Sequence, residues 1–589
     1  MPSDPSLSTT RTTFADVPCS SSFWGAIEKS YRGNHVGVWC SLPEPSPKIA
    51  AVTRRRRTAR PQGRAARRKR DEAKARLTPA WMAVSLTGVL ALQLWTCRGK
   101  LGLPFLDTRL HYSYDNAEFS FKARSGNRNG DLRSQFGVTI NSYSRWGERV
   151  GKPAYYTDHP FLMKALFQQY ARIVGTREWA SRIFYLAVSF GIAAGLFTVF
   201  LQTTGNLLAS AAGSITLVSL PLFAVYQTCV KYETDGMLVS VWLFAALVGY
   251  LKAGARRTLV VYGILTGLAF AAHWTAALFV GVVAGYLSVA LWRGRNPRVR
   301  RALLVTLAAA AAGLASLFAA VSYLHQSSRV AVDALVKAFT TRSAPIPAAA
   351  WWARQWVYFQ KNFSEVLPWL ALALALFLAV RWFAARRSRD EATASPERSE
   401  YLLLVFAAAT LTVACVWQFT FRQGSFIHVY WQYWFCLPVT TVIAAAFASF
   451  ATTPRRAAAA TVACGALAAY LLSASAKAYS EVLGEQLGTP EDVGFLGSLR
   501  EDSFRRMVFV PVTDTPLNPW FQGPLFEYYT DRPVVVATAA NDLHPGDKAL
   551  VLRYEQREKV AAGLSAWSRT KLANEKCGDR MCAYDVLSP

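Results

Sequence analysis

The sequence DTRLHYSYDNAEFSFKARSG occupies residues 107–126, and the same polar segment ends in YYTDHP at residues 155–160. Apolar runs long enough to cross a bilayer flank this segment, Ala80–Cys97 before it and Ile183–Leu201 after it. A polar loop tethered at both ends by spanning helices must lie against the membrane surface. The segment therefore predicts a polytopic membrane protein with its charged groups at a membrane–water interface.

The composition also indicates a membrane protein. The chain has 589 residues, of which 52% are hydrophobic and 17% are charged, whereas soluble proteins carry about 25% charged residues. The mean hydropathy is +0.17. The net charge of +28 would suit a nucleic-acid-binding protein, but there is no zinc-finger spacing and no basic stripe interleaved with aromatic residues. We therefore expect no nucleic-acid partner and assign the basic excess to membrane topology.

Three regions follow from this pattern. Residues 1–78 contain the basic run Arg54–Arg70 and are expected to form a disordered cytoplasmic tail. Residues 79–475 are expected to form the transmembrane module, including a first outer loop at 98–182. Residues 476–589 alternate short apolar runs with polar turns and predict a small, soluble, extracytoplasmic α/β domain. In that domain Cys577 and Cys582 are close enough to form a disulfide, or they remain free thiols.

The membrane module is predicted to be all-α, with about eleven spans, a cytoplasmic N-terminus and an external C-terminus. This orientation places the basic loops together on the cytoplasmic side. Those loops are Lys252–Arg257, Arg293–Arg301, Arg381–Arg389 and Pro454–Arg456. Two stretches have alternatives: Thr258–Trp292 fits two helices or one long helix, and Leu207–Val230 fits one helix or two split at Pro221. We predict one span for Leu207–Val230, because splitting it would move the basic loops to the outer face.

Ionisable residues are nearly absent from the centres of the predicted spans and collect at the outer face. Ion-coupled transporters usually carry such residues at mid-membrane, so the distribution favours chemistry on a substrate with a lipid tail and a polar headgroup. The candidate site residues are Asp115, Glu118, Tyr156, Asp158, His159, Arg182, Lys231, Glu233, Asp235, Arg422 and His428. Taken singly, each carboxylate also fits a solvated loop residue or a helix cap, and each histidine fits a structural hydrogen-bonding role.

The order and sidedness of these motifs resemble the GT-C glycosyltransferases that use polyprenyl-phosphate sugars, specifically the protein mannosyltransferase and aminoarabinose transferase relatives. Members carry an acidic first-loop motif, a Tyr…Lys-Pro-Pro type segment, an Arg before the second span, an Asp before the fourth and a late His-x-Tyr-Tyr type segment. The corresponding positions are Tyr114–Glu118, Tyr156–Phe161, Arg182, Asp235 and His428–Trp431. The resemblance covers residues 81–450.

The sequence departs from these family motifs at two of the corresponding positions. The common Asp-Glu pair is Asp115-Asn116 here, and Lys-Pro-Pro is replaced by Asp158-His159-Pro160. In the span pair Gly267–Val280, His273 also stands where a Lys is common. These differences bear on the identity of the acceptor and on any use of a metal.

The resemblance implies a membrane glycosyltransferase that moves a monosaccharide, with inversion, from a polyprenyl-phosphate carrier to an acceptor hydroxyl on a protein, lipid or glycan. It further implies an active site on the extracytoplasmic side of the plasma (inner) membrane. Asp115 would act as general base, and cations would hold the departing phosphate. The implied roles are catalysis for Asp115, Glu118 and Asp158, donor-phosphate binding for Arg182, Lys231, Arg422 and His428, and sugar or acceptor binding for Tyr156, His159 and Asp235.

Other interpretations stay open at this point. Asp158, His159 and His111 would form a divalent metal site if their side chains converged, although we expect a metal-free reaction. The whole chain also fits a polytopic carrier or flippase for a lipid-linked glycan intermediate. A non-catalytic membrane scaffold whose C-terminal domain binds a partner is the third hypothesis.

Overall fold

The computed structural model describes residues 61–105, 114–130, 160–294, 296–325, 327–387, 399–484, 488–504, 506–510, 523–532, 534–536, 543–552, 571–579 and 581–587. The chain divides into two compact units, Met1–Leu77 and Thr78–Pro589. Everything below on packing and on the site concerns the second unit.

The described part of the membrane module is helical throughout. Its helices are α1 (Pro61–Cys97), α2 (Tyr114–Asn129), α3 (Leu162–Val174), α4 (Glu178–Thr204), α5 (Leu207–Ser219), α6 (Pro221–Tyr226), α7 (Tyr232–Ala253), α8 (Arg256–Ala272), α9 (Trp274–Gly294), α10 (Pro297–His325), α11 (Ser328–Arg342), α12 (Ala348–Phe363), α13 (Leu367–Arg387), α14 (Ser399–Thr420), α15 (Arg422–Ile427), α16 (Cys436–Phe450) and α17 (Pro454–Gly484), with a 3-10 helix at Val429–Phe435.

Within the described residues, eight helices are long and apolar enough to cross a membrane, or up to nine if the bent pair α12 and α13 forms one span. The predicted polytopic all-α membrane fold is confirmed. The predicted spans Leu207–Val230 and Thr258–Ala272 fall in shorter helices, of 13 and 6 residues for α5 and α6 and 17 residues for α8. The count of about eleven spans and the N-in, C-out orientation stay predictions.

Two apolar stretches break where their sequences require it. The chain between α5 and α6 is extended at Leu220, with φ −60° and ψ 134°, because the following Pro221 has no backbone N–H and suits the first position of a new helix. The stretch predicted as one helix, Leu207–Val230, is therefore two. Between α8 and α9 the backbone is extended at His273, with φ −165° and ψ 152°, which separates Thr258–Trp292 into two helices.

Helix α1 begins well before the predicted first span. It starts at Pro61, so the end of the segment predicted to be disordered, residues 61–78, is helical. The Arg, Lys and Ala residues that fill this part of the chain are good helix formers. Its high positive charge does not prevent helix formation, because the same helix continues into the apolar span. The rest of the predicted tail, residues 1–60, lies outside the described residues.

The burial of the helices identifies the centre of the module. The most apolar window of α7 is 72% buried and that of α4 is 61% buried, whereas the windows of α1, α10 and α17 are each only 17% buried. Exposed apolar side chains on the outer helices are what a lipid-facing surface requires. The residues at the start of α7 are buried as well, among them Lys231, Glu233 and Asp235.

The C-terminal domain is a small α/β unit, as predicted. Its elements are α18 (Pro490–Ser498), β1 (Met507–Phe509), α19 (Gly523–Thr530), β2 (Val534–Val536), β3 (Lys548–Leu552), β4 (Lys571–Cys577) and β5 (Met581–Leu587). The sheet order is β2-β1-β3-β5-β4, with β1 parallel to β2 and β3, and β5 antiparallel to β3 and β4. A disulfide joins Cys577 to Cys582 across the last hairpin. Helix α17 continues to Gly484, past the predicted start of this domain at residue 476.

Candidate active site

The first acidic motif lies on α2 and reaches into the membrane module. Asp115 Oδ2 is 2.7 Å from Lys231 Nζ, and the two residues are only 2% and 0% exposed. Lys231 directly precedes α7 and has extended backbone there. Its ammonium also lies 4.2 Å from the centre of the Tyr430 ring and 5.6 Å from that of Tyr226. Such contacts stabilise a desolvated cation, so Lys231 is held in place as the counter-ion of Asp115.

Asn116 fixes the position of its neighbour Asp115. Its Nδ2 donates to Ser181 Oγ at 2.9 Å and to the Thr228 carbonyl at 3.2 Å, and its Oδ1 accepts from the Val230 amide at 2.9 Å. Asn116 is fully buried. An amide side chain supplies donors and an acceptor together, which a Glu at this position would not. Asn116, which stands where the resembling family commonly has a Glu, therefore makes hydrogen bonds that a Glu would not make.

Glu118 lies among basic residues on the same helix and on α3. It is paired with Lys122 one turn later, and the buried Lys164 ammonium interacts electrostatically with it. Burial alone would raise the pKa of Glu118, but these two lysines outweigh it, so its pKa lies below the usual value. Lys164 also interacts with Asp235 and lies 5.6 Å from the ring centres of Phe119 and Tyr232.

Two further carboxylates, Glu233 and Asp235, lie in the first turn of α7. Both are buried, and negative charge is favoured at this end of a helix. Within the described residues, the Asp235 carboxylate oxygens have no hydrogen-bond partner. The following Gly236 packs tightly against the junction of α8 and α9, because a Cβ there would lie 2.6 Å from Thr275 Oγ1 and 3.1 Å from His273 Cβ.

Arg182 lies in the first part of α4, next to the Ser181 that binds Asn116, and is fully buried. Its Nη2 donates to the carbonyls of Leu103 and Pro104, at 3.2 and 3.3 Å. The buried Lys100 belongs to the same cationic group: its Nζ donates to the Ala224 carbonyl at 2.7 Å. Burial lowers the pKa of Lys100 to about 8, and Arg182 adds to that effect.

The late aromatic segment provides the remaining predicted residues. Half-buried His428 lies 3.2 Å from the Tyr430 hydroxyl through its Nδ1, and its ring stacks on Trp431. Tyr430 in turn contacts Lys231, so His428 is joined to the Asp115 pair through one side chain. Arg422 is exposed, and its guanidinium lies 6.0 Å from the Trp351 ring centre, so no contact described here connects it to that pair.

The remaining predicted site residues, including those of the hypothetical metal site, lie outside the residues that the structure describes. Tyr156, Asp158 and His159, and the proposed extra metal ligand His111, lie outside the described residues. Among the residues that are described, one group of metal-ligand type converges, formed by Glu575, Cys577 and Cys582. Both of its sulfurs are in the disulfide, so the group offers no thiolate ligand.

The structure therefore brings together six chain segments: the loop after α1, α2, α3, the start of α4, the start of α7 and the late aromatic segment. Sequence analysis missed Asn116, Lys164, Lys100 and Tyr430 as members of this group. Lys164 follows the YYTDHP motif on a strongly amphipathic helix, and its position on the apolar face of α3 was the available signal. Lys100 carries no comparable pattern, whereas Asn116 and Tyr430 lie within the motifs Tyr114–Glu118 and His428–Trp431, which gave neither of them a role.

Comparison with solved structures shows that this polytopic membrane protein has the GT-C fold. The crystal structure of ArnT from Cupriavidus metallidurans bound to undecaprenyl phosphate is similar, with a TM-score of 0.51 and 14% sequence identity over 86% of this chain and 98% of that chain. Its apo structure gives a TM-score of 0.50 and 13% identity over the same shares of both chains. No protein-family model and no curated protein matches the sequence. At this identity the likeness concerns the fold.

Proposed function

We propose that this chain is an extracytoplasmic membrane glycosyltransferase that moves a monosaccharide from a polyprenyl-phosphate carrier to an acceptor hydroxyl. The observation that carries the proposal is the buried ion pair of Asp115 and Lys231, which joins residues 116 positions apart at 2.7 Å. A base and a cation in contact are what displacement of a phosphate by a hydroxyl requires. The fold shared with a protein that binds undecaprenyl phosphate supports this choice of donor.

The reaction assigns a task to each part of the cluster. The acceptor oxygen attacks the anomeric carbon as its proton passes to Asp115, and the bond from that carbon to the phosphate oxygen breaks with both electrons leaving on oxygen. The configuration inverts, because this is one displacement. The leaving phosphate gains one negative charge, which nearby cations neutralise without a general acid.

The basic residues of the site form two groups, one near the first loop and one in the late aromatic segment. Lys231 is the direct partner of Asp115, and Arg182 and Lys100 lie on the side of the first loop. His428 and Arg422 extend the positive charge along the late aromatic segment, and we assign the donor phosphate to these five residues. Arginine binds phosphate oxygens in a bidentate manner, and Arg182 is the arginine of the five that is buried within the cluster.

The carboxylates of the cluster have separate tasks in this proposal. The Asp235 carboxylate, with its oxygens unused by described donors, accepts hydrogen bonds from the sugar or the acceptor. Glu118, held ionised between Lys122 and Lys164, keeps the two lysines in place. On the basis of the family resemblance, Asp158 stays assigned to catalysis, and Tyr156 and His159 stay assigned to sugar or acceptor binding. The active site faces the outside of the plasma (inner) membrane.

The decisive experiment follows sugar transfer in membranes supplied with a labelled polyprenyl-phosphate sugar. Asp115→Asn keeps the shape of the side chain but loses the base, and general-base catalysis is worth about 10² to 10⁴ in rate. Asp333→Asn, which changes an exposed carboxylate on α11, is the matched control. Transfer at the wild-type rate by Asp115→Asn would remove Asp115 as the base. Vectorial movement of the intact carrier by the wild type, without a transfer product, would favour a flippase.

A further inference from the structure

Helix α2 has two covered faces with different partners. Phe119 and Ala123 lie in the core of the membrane module. Ala117 and Phe121 lie instead in a second core, shared with the C-terminal domain. Residues four apart on a helix point in the same direction, so each pair forms one stripe. The helix that carries Asp115 therefore packs against the membrane module on one face and against the C-terminal domain on the other.

Charged residues continue the stripe that faces the soluble domain. Arg124 and Arg128 follow Phe121 at helical spacing, and both reach Asp531: Arg124 Nη1 lies 3.2 Å from Oδ1, and Arg128 Nη1 lies 2.6 Å from Oδ2. Arg124 Nη1 also donates to the Tyr528 carbonyl at 3.0 Å. Asp531 is only 4% exposed, so one buried carboxylate forms ion pairs with two guanidinium groups of α2.

The backbone at Asp531 is adapted to this contact. Its φ is +56°, in the left-handed region that aspartate and asparagine enter more readily than most residues. It follows directly after the last residue of α19, Thr530, where a left-handed residue commonly ends a helix. The carboxylate therefore has a fixed direction set by the end of α19.

The same end of α19 also contacts two chain segments that lie near α2. The Phe105 amide, in the loop before α2, donates to the Tyr529 hydroxyl at 2.6 Å. The Tyr528 hydroxyl donates to the Thr176 carbonyl, in the turn between α3 and α4, at 3.0 Å. The ring of Phe105 lies 5.2 Å from the Arg182 guanidinium. One short helix thus contacts α2, the loop before α2 and the turn before α4.

We propose that Asp531 is a positioning residue for sugar transfer, which holds α2 so that Asp115 keeps its place beside Lys231. The C-terminal domain is then a working part of the active site rather than an appended module. The catalytic consequence rests on the function proposed above, whereas the positioning itself is measurable without it. Misplacement of a reacting group by about 1 Å costs about 10²-fold in rate, which sets the expected effect on turnover.

The test compares Asp531→Ala with Asp547→Ala in the full-length protein. Asp547 is also a buried carboxylate of the C-terminal domain and forms an ion pair with Arg506 at 3.0 Å. It accepts a hydrogen bond from the His544 backbone amide and directly precedes β3. We expect hydrogen exchange of residues 114–129 to accelerate in Asp531→Ala and not in Asp547→Ala. Turnover should fall by about 10²-fold in Asp531→Ala alone, with the KM for the polyprenyl-phosphate sugar unchanged.

Asp531→Asn and Arg128→Ala keep the test decisive if Asp531→Ala does not fold, because Asn retains the left-handed preference and the Arg128 side chain is 40% exposed. Unchanged exchange of residues 114–129 in these variants overturns the positioning role. Faster exchange with wild-type turnover overturns its catalytic consequence. If the wild type itself shows no transfer, the proposed function fails, and the exchange data alone still decide whether Asp531 positions α2.

Discussion

Asp115 and Lys231 form an ion pair at 2.7 Å in the interior of the protein, one from α2 and one from the position directly before α7. Removing one partner of a buried pair leaves an uncompensated charge and costs about 3–5 kcal/mol. We therefore expect Lys231→Met to lower both stability and transfer, and Lys231→Arg to retain most of the stability. Thermal unfolding in detergent checks this. The Asp115→Asn, Lys231→Met double variant should be more stable than Lys231→Met alone, and equal stability of the two would contradict a net role for the pair.

Asn116 should be sensitive to changes that keep its size. Asn116→Asp retains an acceptor for the Val230 amide but loses the donors to Ser181 and Thr228. It also introduces a second carboxylate beside Asp115. An unsatisfied buried polar group costs about 1–3 kcal/mol, and the added charge increases that cost. We expect reduced stability and reduced transfer for Asn116→Asp, measured by thermal unfolding and initial rates. Wild-type behaviour would show that the Asn116 contacts do not hold Asp115.

Gly424 should not tolerate a side chain. A Cβ at this position would overlap the indole ring of Trp431, which stacks on His428. We expect Gly424→Ala to displace Trp431, lower the melting temperature and weaken donor use. Gly281→Ala in α9 is the matched control, because nothing lies within 4 Å of its Cβ and alanine favours a helix by about 1 kcal/mol. A Gly424→Ala protein as stable as Gly281→Ala would contradict this packing.

Glu527 predicts a pH dependence of stability in the C-terminal domain. Burial raises its pKa to about 7, opposed by the Val534 amide and Lys122. A raised folded-state pKa means that the native state binds the proton more tightly, so this contribution is complete below the unfolded value of about 4.5. It is lost as the pH rises through about 7. We expect Glu527→Gln to melt higher than the wild type at pH 8, with the difference shrinking at pH 5. An identical pH dependence of the two proteins would contradict the assignment.

The orientation in the membrane is testable with two exposed positions. Glu491, in α18, and Arg455, at the start of α17, are both exposed. With an external C-terminus, a membrane-impermeant maleimide should label Glu491→Cys in intact cells. It should label Arg455→Cys only after permeabilisation, because the basic loop at Pro454–Arg456 is predicted to be cytoplasmic. The reverse labelling pattern would overturn the N-in, C-out arrangement and the location of the active site.

Much of the fold follows from local sequence properties. Long apolar runs such as that of α4 specify spans because lipid leaves no other solution for the backbone. Pro221 marks a helix break by its missing N–H, and only the charge-balance argument on the loops favoured one uninterrupted helix there. The residues 61–78 show the opposite error, since their composition indicated disorder although their helix propensity is high.

The sequence predicted several of the charged residues that belong to the site, but not which of them contact one another. Asp115 and Lys231 were both identified, but Lys231 was assigned to the donor phosphate alone because no local pattern reveals a contact between residues 116 positions apart. Asn116 appeared only as a lost carboxylate, since its use depends on three groups brought together by tertiary packing. Lys164, by contrast, lies on a helix whose apolar face was recognisable, and a lysine on such a face was the signal to follow.

The strand order of the C-terminal sheet has a consequence for biosynthesis. Strand β5 lies between β3 and β4 in the described sheet, so this sheet cannot be completed until β5 has been synthesised. The membrane helices precede β5 in the chain. The complete set of contacts between the C-terminal domain and α2 can therefore form only after those helices have been synthesised. Met581 and Ala583 of β5 share a core with Ala117 and Phe121 of α2, so we expect a chain that stops before β5 to contain every membrane helix and to lack part of the core that covers α2.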